Sequence, residues 1–127
     1  MNDQEARYKN GVMWLRKAAQ TNAKRKTPHQ RASSLLGYCY ENGMYCRENL
    51  NTAVTMYQRA AAQGDAFAMY RIGCMMIHGD GRGGIRVDEN EGLEWLRKAA
   101  QQRTLWGDNG GRLAVQELQK LNQWDGN

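Results

Sequence analysis

The chain has 127 residues, is 41% hydrophobic and carries a formal net charge of +5. That length suits one domain with a core of its own, and a composition rich in Ala and Met and poor in β-branched residues favours helix over sheet. No stretch approaches the roughly 18 apolar residues of a membrane span, residues 1–10 contain no signal-peptide apolar run, and three cysteines cannot all pair within one chain, which points to a reducing, cytoplasmic setting.

The charge is unevenly placed. Residues 1–63 hold ten Lys/Arg against four Asp/Glu, and residues 64–127 hold eight against nine. A basic half suits an acidic partner or nucleic acid, against the plainer reading of a solvated surface.

Residues 3–20 read as a helix, with Val12, Leu15, Ala18 and Ala19 at helical spacing. Its end, Trp14-Leu15-Arg16-Lys17-Ala18-Ala19-Gln20, recurs as Trp95 to Gln101. It therefore reads as the second helix of a repeat, and polar Asn2 to Glu5 suit an end cap. Residues 21–28 form a polar connection that includes Lys24, Arg25 and Lys26, and Thr27-Pro28 is a helix start.

From there one pattern is written twice. Ala32-x3-Leu36-Gly37-x2-Tyr40-x2-Gly43 leads to Ala53-x2-Met56-Tyr57-x-Arg59-Ala60-Ala61. Ala68-x3-Ile72-Gly73-x2-Met76-x2-Gly79 leads to Gly92-x2-Trp95-Leu96-x-Lys98-Ala99-Ala100. The spacing predicts helices over 28–42, 49–63, 65–78 and 88–102. Self-similarity at this period is the mark of stacked helix pairs. Gly37 and Gly73 sit mid-helix, where glycine costs about 1 kcal/mol relative to alanine. A repeated cost of this kind implies close approach of a neighbouring helix. Gly43 and Gly64 punctuate helix ends, and Asp65 is placed to cap. The second turn, GDGRGGIRV, is three residues longer than the first. A last helix, with Leu113, Ala114, Val115, Leu118 and Leu121, runs to about 122 and reads as a cap at 105–124, packed by Trp106 and Trp124. It lacks the Leu-Gly pair.

The pattern resembles the Sel-1-like repeat, a relative of the tetratricopeptide repeat, whose motif runs roughly A-x3-LG-x2-Y-x2-G-x-G-V-x2-D-x2-KA-x2-WY-x-KAA-x2-G. The first copy departs at Tyr45 and Cys46, for Gly and Val, and at Asn49 for Asp. The second departs at Met76 and in its longer turn. The resemblance implies an all-α fold, a right-handed α-α superhelix (solenoid) of about six helices. It comprises two full repeats (28–63 and 65–102) between an N-terminal half-repeat (1–20) and a C-terminal cap, as one domain over 1–127. Secreted cysteine-rich members bridge their helix pairs by disulfides, but here those positions hold Ser, Met or Ala.

For function the resemblance implies a non-enzymatic module that binds a partner protein. By analogy with tetratricopeptide pairs, the first helix of each repeat lines a concave face. The implied contacts are Arg31, Ser34, Tyr38, Glu41 and Asn42 in the first copy, and Phe67, Tyr70, Cys74, Ile77 and His78 in the second. Exposed aromatic and aliphatic residues there would serve an interface. The partner could be a toxin neutralised by a small bacterial immunity protein, or a component of signalling or secretion held by an adaptor.

Other chemistry finds little support. Cys74 and His78 have ligand spacing, but nothing completes a metal site. GDGRGG lacks the Lys-Ser/Thr of a phosphate loop and does not follow a strand. The Lys24–Lys26 run lacks the interleaved aromatics of a nucleic-acid patch, so nucleic acid is the weaker partner class. No cofactor motif, small-molecule substrate pocket or oriented nucleophile–base pair is visible.

Overall fold

The computed structural model describes residues 13–17, 30–79, 85–102 and 110–124. The predicted basic run Lys24–Lys26, the Thr27-Pro28 start, Trp106 and most of the long second turn lie outside those residues. The fold is all-α, a helical-repeat architecture with no strand among the described residues. The chain divides into two compact units, Met1–Gln63 and Gly64–Asn127.

In the first unit a helical segment at 13–17 precedes α1 (Gln30–Asn42) and α2 (Leu50–Ala62). α1 ends where Gly43 takes φ 67°, and the Met44 N–H donates to the Cys39 carbonyl at 2.9 Å. This six-to-one closure is open to glycine without steric cost. α2 starts at Asn49, whose extended backbone lets its side-chain oxygen accept from the Thr52 N–H at 3.1 Å. Asn thus fills the cap that the family motif gives to Asp. α1 and α2 pack together. Ala32 and Leu36 form the nucleus of the apolar contact, with Leu15, Tyr40, Cys46 and Met56 against it. Tyr57 is fully buried, and its hydroxyl donates to Glu41 Oε1 at 2.8 Å. Gly37 makes room for that ring, since a methyl there would stand 2.7 Å from Tyr57 Cδ1.

The second unit holds α3 (Ala66–His78), α4 (Glu89–Gln101) and α5 (Gly110–Lys120). Asp65 and Asp88 cap the first two, accepting from the N–H groups of Ala68 at 2.9 Å and Glu91 at 3.1 Å. Gly73 has the counterpart of Gly37's role, with backbone as well as side chain facing it. A methyl on Gly73 would lie 2.9 Å from both Gly92 O and Leu96 Cγ. The close helix approach expected from the repeated glycine is therefore present. α5 packs on both α3 and α4. Gly110 opens α5 so near α3 that a methyl on it would run into the backbone of Ala66 and Phe67.

The two repeats close their turns alike despite the difference in length. The Asn49 N–H donates to the Tyr40 carbonyl at 2.9 Å, and the Asp88 N–H to the Met76 carbonyl at 2.8 Å. Tyr45, which replaces a motif glycine, adopts φ 65°. A side chain there costs on the order of 1–3 kcal/mol.

Candidate protein-binding site

Among the described side chains of α1 the exposed ones form a single stripe, Arg31, Leu35, Tyr38 and Asn42, at spacings of four, three and four. Leu35 is 42% exposed and Tyr38 41%. The Asn42 side-chain N–H donates to the Tyr38 carbonyl at 2.9 Å, which holds the end of the stripe. The expectation of exposure fails at two of the five implied positions here. Ser34 is buried, one step round the helix from the stripe, and Glu41 is buried because Tyr57 reaches across from α2 to donate to it. The hydroxyls of Ser33 and Ser34 have no hydrogen-bond partner among the described residues. Leu35 belongs to the stripe and was missed. Its signal was the 31/35/38/42 spacing itself, which suits a helix face better than positions taken by analogy.

In the second unit the implied set is mostly occupied by packing. Cys74 is buried, correcting the expectation that it is exposed, and Phe67, Tyr70 and Ile77 are half-buried. For Phe67 and Cys74 the physical reason is α5. Its first residue abuts the Phe67 backbone, and its Glu117 Oε1 accepts from His78 Nε2 at 2.7 Å. Phe67, Cys74 and His78 share one helical stripe, so α5 lies along the side of α3 that the analogy left open. Ile77 faces α4, with its Cγ1 2.7 Å from where a methyl on Gly92 would be. Phe67 and Tyr70 form a tilted aromatic pair with centroids 6.0 Å apart, and Arg71 lies over the Tyr70 ring.

Burial shifts three groups, Cys39, Cys46 and Tyr70. Burial raises the Cys39 thiol pKa, and neighbouring Cys46 adds to the rise. Burial also raises Cys46, with the Arg16 guanidinium pulling the other way. Tyr70 is raised, by burial first and by Cys74 next. Thiolate is the reactive form. Native protein at neutral pH should therefore be alkylated slowly by iodoacetamide, at half-buried Cys46 before buried Cys39 and Cys74, and at all three only on unfolding. Mass spectrometry over time checks this, and rapid uniform labelling would contradict it. The same shifts set an alkaline limit. The folded state keeps protons that the unfolded chain releases, so stability is full below the ordinary thiol range of about 8.5 and falls as pH rises through it and through the phenol range near 10.

Among the described residues no three His, Cys, Asp or Glu side chains converge as metal ligands, and no helix is long and apolar enough to cross a membrane.

Paired helices joined by capped turns, with glycines at the crossing points, define a helical-repeat protein. A profile of the Sel1 repeat matches residues 5–20, 30–65 and 66–103, well over half of the chain, and the chain belongs to that family. Two solved structures share the fold. A Sel1 repeat protein from Oxalobacter formigenes is 24% identical at a TM-score of 0.68, over 91% of this chain and 42% of that one. A protective antigen of uropathogenic Escherichia coli with an SLR fold is 26% identical at a TM-score of 0.65, over 93% of this chain and 25% of that one. This chain thus spans less than half the length of either. Sel1 repeat proteins are in general protein-interaction modules, and the fold is typically non-catalytic.

Proposed function

We propose that this protein binds a partner protein without catalysing a reaction, using the exposed stripe of α1. The observation that supports the surface is the exposure of Leu35 and Tyr38 side by side on one helix, flanked by Arg31 and Asn42. Interface cores favour apolar and aromatic anchors with a polar rim. The basic balance of residues 1–63 favours a partner with an acidic surface. Neutralisation of a toxin by occlusion, or scaffolding in signalling or secretion, are finer forms of this reading, told apart by the partner recovered.

The test is capture of the partner by the tagged chain, identification by mass spectrometry, and titration with variants. Leu35→Asp and Tyr38→Ala should each weaken binding by more than about 1 kcal/mol, roughly fivefold, if these residues are anchors. Unchanged affinity in a folded double variant would remove the α1 stripe as the binding surface.

A further inference from the structure

α1 ends in the dipeptide Asn42-Gly43, with Asn42 its last residue and Gly43 the first beyond it, and both are exposed. Asparagine is a chemically labile residue, because a main-chain nitrogen that reaches its side-chain carbonyl carbon closes a five-membered imide. Glycine obstructs that closure least, having no side chain beside its nitrogen.

The turn leaves the Gly43 nitrogen without its ordinary claimants. At a helix end of this kind the N–H in Gly43's place is taken by the carbonyl of Cys39 or of Tyr40. Here the Cys39 carbonyl accepts from Met44 at 2.9 Å, and the Tyr40 carbonyl accepts from Asn49 at 2.9 Å. In the second repeat the corresponding Gly79 N–H donates to the Met75 carbonyl at 2.8 Å. The residue before Gly79 is His78, which has no amide to offer. Asn42 is held by the bond from its side-chain N–H to the Tyr38 carbonyl, at 2.9 Å. That bond lies in the last turn of the helix, where fraying costs little free energy.

We propose that Asn42 is a site of self-modification, converting without an enzyme to aspartate and isoaspartate. The Gly43 nitrogen bonds to Asn42 Cγ and gives up its proton, the Cγ–Nδ2 bond breaks, and ammonia leaves. Water then opens the imide. Addition at Cγ leaves an aspartate in an unaltered main chain. Addition at the main-chain carbonyl carbon leaves isoaspartate, with the main chain rerouted through the former side chain. The balance is one amide and one water to one carboxylic acid and one ammonia, with no oxidant or reductant. Either product ionises at the C-terminal end of α1, where the helix dipole disfavours negative charge. Neither has the N–H that Asn42 gives to the Tyr38 carbonyl. Conversion therefore loosens the end of α1 and adds a negative charge to its exposed stripe. An effect on partner binding rests on the stripe being the binding surface; the modification does not.

The full chain is incubated in mildly alkaline buffer, native and in urea, and sampled over days. Trypsin then releases residues 32–47, in which Asn42 is the sole amide side chain. Mass spectrometry reads the replacement of NH2 by OH, and chromatography separates the two isomers. Native conversion is expected less than about a hundredfold slower than in urea, because only the helix end has to open. A reaction that waited for global unfolding would be slowed by at least about a thousandfold. Isoaspartate should appear beside aspartate, and Asn42→Gln, which would need a six-membered ring, should leave the peptide unchanged. A native rate a hundredfold or more below that in urea, or aspartate alone, would overturn the proposal. Asn42→Asp stands in for the aspartate product, and its amides at the end of α1 should exchange faster than in the unmodified chain. Unaltered exchange there would overturn the loosening, and neither measurement needs a partner protein.

Discussion

Gly73→Val should destabilise the second unit by about 3 kcal/mol, because a valine side chain there has no direction in which to move. A methyl at this position already meets Gly92 O and Leu96 Cγ at 2.9 Å. One neighbour is backbone, held by the hydrogen bonding of α4, and the other is a fully buried side chain. Alanine is the more searching substitution. It gains about 1 kcal/mol of helix propensity over glycine and loses roughly 1–3 kcal/mol to overpacking, so Gly73→Ala should range from neutral to a net cost of about 2 kcal/mol. Gly92→Ala faces the reciprocal contact, with Gly73 O 2.8 Å and Ile77 Cγ1 2.7 Å away. Since either methyl forces α3 and α4 apart, the double variant should cost less than the sum of the singles. Amide hydrogen exchange in α3 and α4 reads these changes locally, without assuming that the whole chain unfolds in one step. A stabilising Gly73→Ala, or strictly additive costs, would mean that the crossing is looser than it stands here.

Tyr57→Ala should be as damaging in the first unit. The ring is fully buried and fills the space left by Gly37, so removing it costs about 3–5 kcal/mol in transfer and cavity terms. It also removes the hydroxyl that donates to buried Glu41, a loss of about 1–3 kcal/mol. Against a typical domain stability of about 5–15 kcal/mol, that total brings the α1–α2 pair to the edge of unfolding. Tyr57→Phe separates the two contributions: it keeps the packing and should cost only the hydroxyl's share. Exchange rates of the slowest α1 and α2 amides measure both variants. If Tyr57→Ala shifted them by less than about 1 kcal/mol, the ring would not be the keystone of this pair.

Most of the fold was legible because a repeat states its own rules twice. Gly37 and Gly73 announced the crossing points, and Asp65 and Asp88 announced helix starts. Each does its expected work through a contact that sequence can encode locally, a capping oxygen or a missing Cβ. The surface was less legible, because exposure depends on what lies across from a residue. Glu41 reads as an exposed contact on the concave face, but Tyr57 reaches it from sixteen residues away. Cys74 and Phe67 looked open until α5 was placed, and nothing in their own helix says that a later helix lies along that side. Tyr45 was readable as a departure from a motif glycine. Its φ of 65° places a side chain in the left-handed region that glycine takes without steric cost.

The matching closures of the two turns bear on how this scaffold can be altered. In each repeat the N–H at the start of the second helix is tied to a carbonyl in the last turn of the first: Asn49 to Tyr40, and Asp88 to Met76. The chain between the tie points differs by three residues, yet the tie is the same. Loop length is thereby uncoupled from helix register. Surface segments of this kind tolerate added residues at little thermodynamic cost, and here the insertion has not been transmitted to the helices on either side. The connection between paired helices behaves as an exchangeable cassette, where recognition loops can be grafted or lengthened while the glycine crossings and caps stay as they are.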